Sequence, residues 1–330
     1  MKTKQILLIV STLFIVLAHK TIGQPIKVIL DTDIAGDYDD VGAMAVLHNL
    51  ADKKEVDILA VMSCNSFPTT VPTISVLNDY FGRPQIPIGV TKSKSPYMDC
   101  PQQWAEAIIA KYPHTIKSNN DAPDAVLLYR KILASQPDNS VTVITVGFFT
   151  NLANLLDSKP DRYSPLSGEE LVKKKVKHLV SMAAGLQPGK NFGREYNVFI
   201  DAPSSKRVFE TWPTPVTLSG FEIGEKILTG IKLIHADAIQ NSPVKDAYQI
   251  ALEKDKNDKG RMSWDQTAIL VAIKGMEPFF TYKNLNFEIK EDGTNVIKSG
   301  SNFKYLIFKE KPEQIGKYIE DLMMDKPDAQ

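Results

Sequence analysis

Cysteine is nearly absent: Cys64 and Cys100 are the only two in 330 residues. Two cysteines this far apart do not make a disulfide framework, although an exported location would permit one bridge, and a Cys64–Cys100 pairing would pin a loop. Net charge is also absent, with 39 basic and 39 acidic residues. That balance argues against nucleic acid as a partner, which calls for a basic patch. No Gly/Ser/Pro-rich linker and no internal repeat divides the chain, so residues 24–330 are read as a single domain. At 43% hydrophobic and 24% charged, the composition is that of a soluble globular protein.

Long apolar runs are missing except at the beginning. Lys2 and Lys4 precede an apolar run from Ile6 to Ala18, and the segment turns polar at His19-Lys20-Thr21. This is the layout of a secretory signal peptide over residues 1–23, with cleavage near Gly23-Gln24. The run is short for a bilayer span, so export to the periplasm or medium is expected rather than stable membrane insertion; an uncleaved anchor is the alternative. Cleavage removes Lys2, Lys4 and Lys20 and no acid, which leaves a formal charge of −3.

What is present is an alternation. Asp57 to Met62, Ile86 to Val90, Val141 to Val146, Val176 to Ala183 and Pro215 to Leu218 read as strands. The proline inside Ile86 to Val90 makes that strand peripheral. Between them, Thr70 to Tyr80, Gln103 to Lys111, Asp124 to Ala134, a helix opening at Asn151 and Ala202 to Glu210 read as helices. Such alternation predicts an α/β fold, a mainly parallel central sheet with helices on both faces. Beyond Phe279 the pattern changes to a hairpin, Leu285 to Ile289 with Tyr305 to Phe308, and a last helix, Glu313 to Met324.

The chain is organised around Val28-Ile29-Leu30-Asp31-Thr32-Asp33-Ile34-Ala35-Gly36-Asp37-Tyr38-Asp39-Asp40. A β-rich run ends in carboxylates and restarts as a helical pattern, which places the acids at a strand's C-terminal end, where open α/β sheets bind ligands. Five aspartates in ten residues repel one another unless a positive charge sits among them, and a hard divalent cation takes several carboxylate oxygens at once. Helix capping by Asp39 and Asp40 and turn formation by the rest is the competing account. Capping explains one or two acids, not five.

Asp31-Thr32-Asp33, Gly36, Asp39 and Asp40 resemble the amino-terminal signature of the inosine-uridine-preferring nucleoside hydrolases, usually an Asp-x-Asp-Pro-Gly-x-Asp-Asp run, here with two extra residues before the final pair. Asp37 is the member the pattern leaves unassigned. Three further stretches extend the resemblance to about residue 275: Val141 to Leu152, which is similar to a strand followed by Thr-Gly-x-x-Thr-Asn; Met182-Ala183-Ala184-Gly185 with Glu195-Tyr196-Asn197 and Asp201-Ala202, similar to Met-Gly-Gly, Glu-Phe-Asn and Asp-Pro; and Ser263-Trp264-Asp265.

The resemblance implies a calcium ion held by Asp33, Asp40, Asp265 and the main-chain carbonyl of Val146. Asp33 would double as the general base, and Asp39, Asn65, Glu195 and Asn197 would grip the ribose, with Asn191 as a further contact. It also implies a nucleoside substrate, cleavage of its N-ribosidic bond, and a homodimer or homotetramer. Read from position alone, Asn65 is a turn residue, Thr150 and Asn151 cap the next helix, and Ser263 or Asp265 caps the last buried one. An extended backbone would put Glu195 and Asn197 on one side.

The chief departure is Trp264. Many members carry there a histidine that protonates the leaving base, whereas indole is no general acid of suitable pKa; Trp264 is left to stack on the base or to pack. His48 falls in the first helix, and His114, His178 and His235 match no motif. Two other classes stand beside the enzyme: an exported nucleoside- or sugar-binding protein that kept the metal pocket, and a haloacid-dehalogenase-type phosphatase suggested by Asp31-Thr32-Asp33. The latter calls for a later acidic pair that does not follow.

Overall fold

The computed structural model describes residues 24–325, so the expected signal peptide lies outside the described residues. The described residues contain eleven strands: β1 Ile26–Thr32, β2 Val56–Ser63, β3 Ile88–Val90, β4 Val141–Thr145, β5 Val176–Met182, β6 Phe192–Gly193, β7 Val216–Ser219, β8 Leu228–Thr229, β9 Arg261–Met262, β10 Phe280–Ile289 and β11 Asn295–Phe308. The main sheet runs β10-β11-β7-β5-β4-β1-β2-β3, with β6 paired to β11, and β8 and β9 form a separate two-stranded ribbon. From β11 to β3 every neighbouring pair along this order is parallel; β10 and β11 are the antiparallel hairpin.

Parallel strands covered on both faces must be apolar on both. In β1, Val28 and Leu30 enter one core and Ile29 the other. The first core is closed by helices Asp39–Asp52, Thr70–Tyr80, Trp104–Lys111, Pro243–Lys254, Trp264–Lys274 and Pro312–Met324. The second lies under Ala125–Ser135, Thr150–Asp157, Gly168–Lys175 and Ala202–Thr211. Helices Gly168–Lys175 and Pro243–Lys254 were not read from the sequence, although a Ser167/Glu170 capping box opens the first and Ser242 with Pro243 the second.

The strand order reverses beside β1. β2 and β3 step away on one side, and β4 returns to the other, so the crevice of the switch point opens at the carboxyl ends of β1 and β4. Two buried helices aim their N-termini at it. Residues Asp39 to Leu50 of the first are all buried, and it packs closely on Trp264–Lys274: a Cβ added at Gly42 would lie 2.4 Å from Gln266 Nε2. Asp39, Asp40 and Asp265 thereby enter first turns, where helix dipoles favour negative charge.

Three local expectations are corrected. Thr150 and Asn151 lie inside their helix, which has no side-chain cap; Thr150 Oγ1 donates to Asp201 (2.6 Å), and Asn151 Nδ2 to Asp31 (3.1 Å) and to the Ser63 carbonyl (3.0 Å). Cys64 and Cys100 are separate buried thiols. Glu195 is the extended N-cap of helix Tyr196–Ile200, and Asn197 falls in its first turn, so the two do not share one extended segment. His48 is a core residue: it stacks on Phe81 at 4.7 Å, and burial pushes its pKa down to about 3.

Candidate active site

The β1 carboxyl end sets the site in two tiers. Asp31, fully buried, is the lower one, its carboxylate accepting from Tyr129 Oη (2.9 Å) and Asn151 Nδ2 (3.1 Å). Burial still pushes its pKa up to about 7. Thr32 Oγ1 donates to Asp40 and accepts from the Ile34 amide at 3.1 Å, which turns the chain sharply over the strand end. Gly147, just past β4, is required by this approach, because a Cβ there would lie 2.5 Å from the Asp33 amide nitrogen.

Above this lies a cavity of about 280 Å³ whose wall carries Asp33, Asp37, Asp39, Asp40, Glu195 and Asp265. Arg261 answers two of these acids. Its guanidinium pairs with Asp37 and reaches Asp39 Oδ1 at 3.2 Å, lying 5.0 Å over the rings of both Tyr38 and Trp264. Among the described residues, no ion pair reaches Asp33, Asp40 or Asp265. Burial first, and then neighbouring carboxylates, hold all three well above the ordinary aspartate range: Asp37 and Asp39 act on Asp33, Asp33 and Asp39 on Asp40, and Asp39 and Asp40 on Asp265.

This donor set fits a divalent cation. Asp39, Asp40 and Asp265 each offer an oxygen within 4.8 Å of the others, and Asp40 Oδ2 is buried with no hydrogen-bond donor. An unanswered buried carboxylate oxygen is costly, and hard cations take such all-oxygen sets. The converging triplet includes Asp39, which the sequence resemblance gave to ribose, while Asp33 stands beside it on the wall. Val146 also lines the cavity, and its carbonyl accepts from Asn197 Nδ2 at 2.9 Å and keeps a second lone pair.

Glu195 stands on the cavity wall. Its carboxylate caps Asn197 N (2.9 Å) and Val198 N (3.2 Å) and also accepts from Ala184 N (3.3 Å); burial raises its pKa to about 7. Trp264 lines the cavity as well, packed on Phe221 at 5.3 Å with its indole N–H donating to the Phe221 carbonyl at 2.8 Å. Two sequence candidates stand apart. Asn65, fully buried, donates to the carbonyls of Asp33 (3.2 Å) and Met98 (2.9 Å) and accepts from the amides of Phe67 and Met98, so it pins the Met98 loop to the β1 end rather than lining the cavity. Asn191 is exposed, and its carbonyl accepts from Ile297 N at 2.7 Å. The sequence reading missed Arg261, Met98, Tyr196 and Phe221; Arg261 carried a signal as the one basic residue within four positions before Asp265, and Tyr196 as the tyrosine in place of the phenylalanine of Glu-Phe-Asn.

No curated protein matches the sequence significantly. Among solved structures, an inosine-uridine preferring nucleoside hydrolase from Bacillus anthracis is 17% identical, with 91% of this chain and 99% of that one covered at a TM-score of 0.67. A purine-preferring ribonucleoside hydrolase from Gardnerella vaginalis is 16% identical over 90% and 99%, TM-score 0.68. The type III effector protein XopQ, solved with adenosine diphosphate ribose, is 15% identical over 92% and 94%, TM-score 0.68. These likenesses bear on the fold. The model of the inosine-uridine preferring nucleoside hydrolase family matches residues 28–318, nearly the whole described chain, and with the carboxylates gathered at the switch point it places this protein in that family of hydrolases.

Proposed function

We propose that this chain hydrolyses the N-glycosidic bond of ribonucleosides in a calcium-dependent reaction, releasing free base and ribose, and that it does so after export. The observation that carries the reading is Asp40 Oδ2, buried with no hydrogen-bond donor among acids lining a cavity at the switch point. Asp33, Asp40, Asp265 and the Val146 carbonyl would hold the ion, with Asp39 close enough to join them. When bound, the ion supplies positive charge to the carboxylates and acidifies a water.

The remaining work falls to the chain. Asp33, on the wall and close in charge to Asp37 and Asp39, takes the proton of the attacking water. Glu195, held in place by three backbone amides, and Asn197, fixed through the Val146 carbonyl, present polar groups to the ribose hydroxyls. Contacts to the sugar that strengthen as C1′ gains positive charge lower the barrier, as in other glycosidic cleavages. The aromatic wall of Trp264 and Phe221 suits a flat base. Purine or pyrimidine salvage by a homodimer or homotetramer is the setting that accords with this chemistry.

A non-catalytic nucleoside- or sugar-binding protein is the second reading, favoured by Trp264 in place of a leaving-group acid. A reducing-sugar assay across purine and pyrimidine ribonucleosides, with and without calcium, separates them. Calcium-dependent ribose release is expected; tight nucleoside binding with no ribose released would establish the binding protein instead.

A further inference from the structure

Departure of a nucleobase is assisted by a group that donates a proton or hydrogen bond to it. Besides its carboxylic acids, the cavity wall carries four side chains with N–H or O–H hydrogens: Asn197, Arg261, Trp264 and Tyr196. Asn197 Nδ2 donates to the Val146 carbonyl at 2.9 Å and to the Met182 thioether at 3.4 Å, and a carboxamide N–H is no acid; the Trp264 indole N–H is committed to the Phe221 carbonyl at 2.8 Å. Arg261 is engaged with Asp37 and Asp39, and a guanidinium does not give up its proton in a protein. Tyr196 is different. Its phenolic O–H donates only to the Met98 thioether, at 3.2 Å, a weak acceptor that a base nitrogen or oxygen can replace at small cost.

The carboxylic acids are poorer candidates. Glu195 accepts three backbone amides, Asp37 pairs with Arg261, Asp39, Asp40 and Asp265 form the converging triplet that would hold a cation, and Asp33 beside them is assigned to the attacking water. We infer that Tyr196 is the catalytic residue that donates its phenolic hydrogen to the departing base, replacing the histidine that Trp264 displaces. The sequence shows the exchange from both ends: the chain has Trp264 where the family pattern has its histidine, and a tyrosine where the Glu-Phe-Asn triplet has a phenylalanine. Burial, and then the charges of Asp33 and Asp37, raise the Tyr196 pKa, which keeps the phenol protonated at neutral pH.

The inference rests on the hydrolase reading. As the C1′–N bond breaks, its electron pair leaves with the base nitrogen, which takes the Tyr196 proton. The hydroxyl of the attacking water bonds to C1′, and the other proton of that water goes to Asp33. Exchange of one proton each with solvent then restores Asp33 and Tyr196.

The test is steady-state kinetics of wild type and Tyr196→Phe on inosine and on p-nitrophenyl riboside, whose leaving group departs without protonation. Tyr196→Phe keeps the ring against Phe199 (5.2 Å), and a thermal melt matching wild type certifies the fold. The expected result is a fall of about 100-fold or more in kcat on inosine, with p-nitrophenyl riboside changed less than about threefold. An equal loss on both substrates would make Tyr196 a packing or sugar-binding residue, and no loss on inosine would remove its role; either overturns the inference. A wild type active on p-nitrophenyl riboside but inert on inosine overturns it while leaving ribosidic hydrolysis standing. Inactivity of the wild type on both removes the hydrolase reading itself.

Discussion

The two sides of one carboxylate cluster are built differently. On the Arg261 side, Asp37 and Asp39 meet a guanidinium seated over Tyr38 and Trp264, so negative charge is answered by the chain itself. On the Asp40 side, Asp33, Asp40 and Asp265 meet one another, the neighbouring carboxylates of Asp37 and Asp39, a hydroxyl from Thr32 and two helix N-termini, and among the described residues no cationic side chain pairs with them. The dipole of a helix end is worth roughly 0.3–1 kcal/mol per charge, too little to hold three buried acids together. One side is complete when the chain folds, and the other is complete only with a cation.

The largest effect should come from the incomplete side. Asp33→Asn removes the proposed proton acceptor and is expected to lower kcat on inosine by about 10²–10⁴-fold, read in the ribose-release assay, with the melting temperature in chelator unchanged or raised. On the complete side, Arg261→Gln leaves Asp39 buried without its partner and should destabilise the fold by about 3 kcal/mol, measured by urea unfolding; a loss below about 1 kcal/mol would show that water already answers Asp39.

Calcium at 100 times its dissociation constant should stabilise wild type by about 2.7 kcal/mol. In chelator, Asp31 and Glu195, whose pKa values rise to about 7 from 3.8 and 4.5 on folding, act against buried His48 and half-buried His178, whose values fall from 6.5 to about 3 and about 4. The two acids bind more protons in the native state than in the unfolded state, so the stability they contribute is fully present below about pH 4 and falls as pH rises toward 7. The slope of the unfolding midpoint against pH over that range should therefore be less negative in Glu195→Gln than in wild type. The smallest effect is Trp264→Ala, expected to raise KM for nucleosides about tenfold with the fold intact.

Much of the fold was legible because parallel strands buried on both faces and their crossover helices leave long patterns in the chain. Pro87 marks the third strand as peripheral, and the sheet indeed ends there, with β3 beginning only after the proline. The acid cluster was legible because five aspartates at one strand end have few uses. What was not legible depended on partners distant in sequence. Asn151 looked like a cap until Asp31, 120 positions earlier, claimed its amide. Arg261 has no meaning without Asp37 and Asp39, more than 220 positions away. Asn65 reads as a turn residue or a ribose contact by motif, and only the Met98 loop shows that all of its amide capacity is in use. Helix Gly168–Lys175 was missed because its composition is mostly charged and only Leu171 and Val172 give it an apolar side.

Isothermal titration of chelator-treated protein with calcium chloride tests the contrast between the two sides most directly, with Asp40→Asn run in parallel. The account predicts one ion bound per chain in wild type and none in Asp40→Asn, which should also be the more stable of the two in chelator because a buried charge has been removed from among acids. Absence of calcium binding in wild type, or unchanged binding in Asp40→Asn, would contradict it.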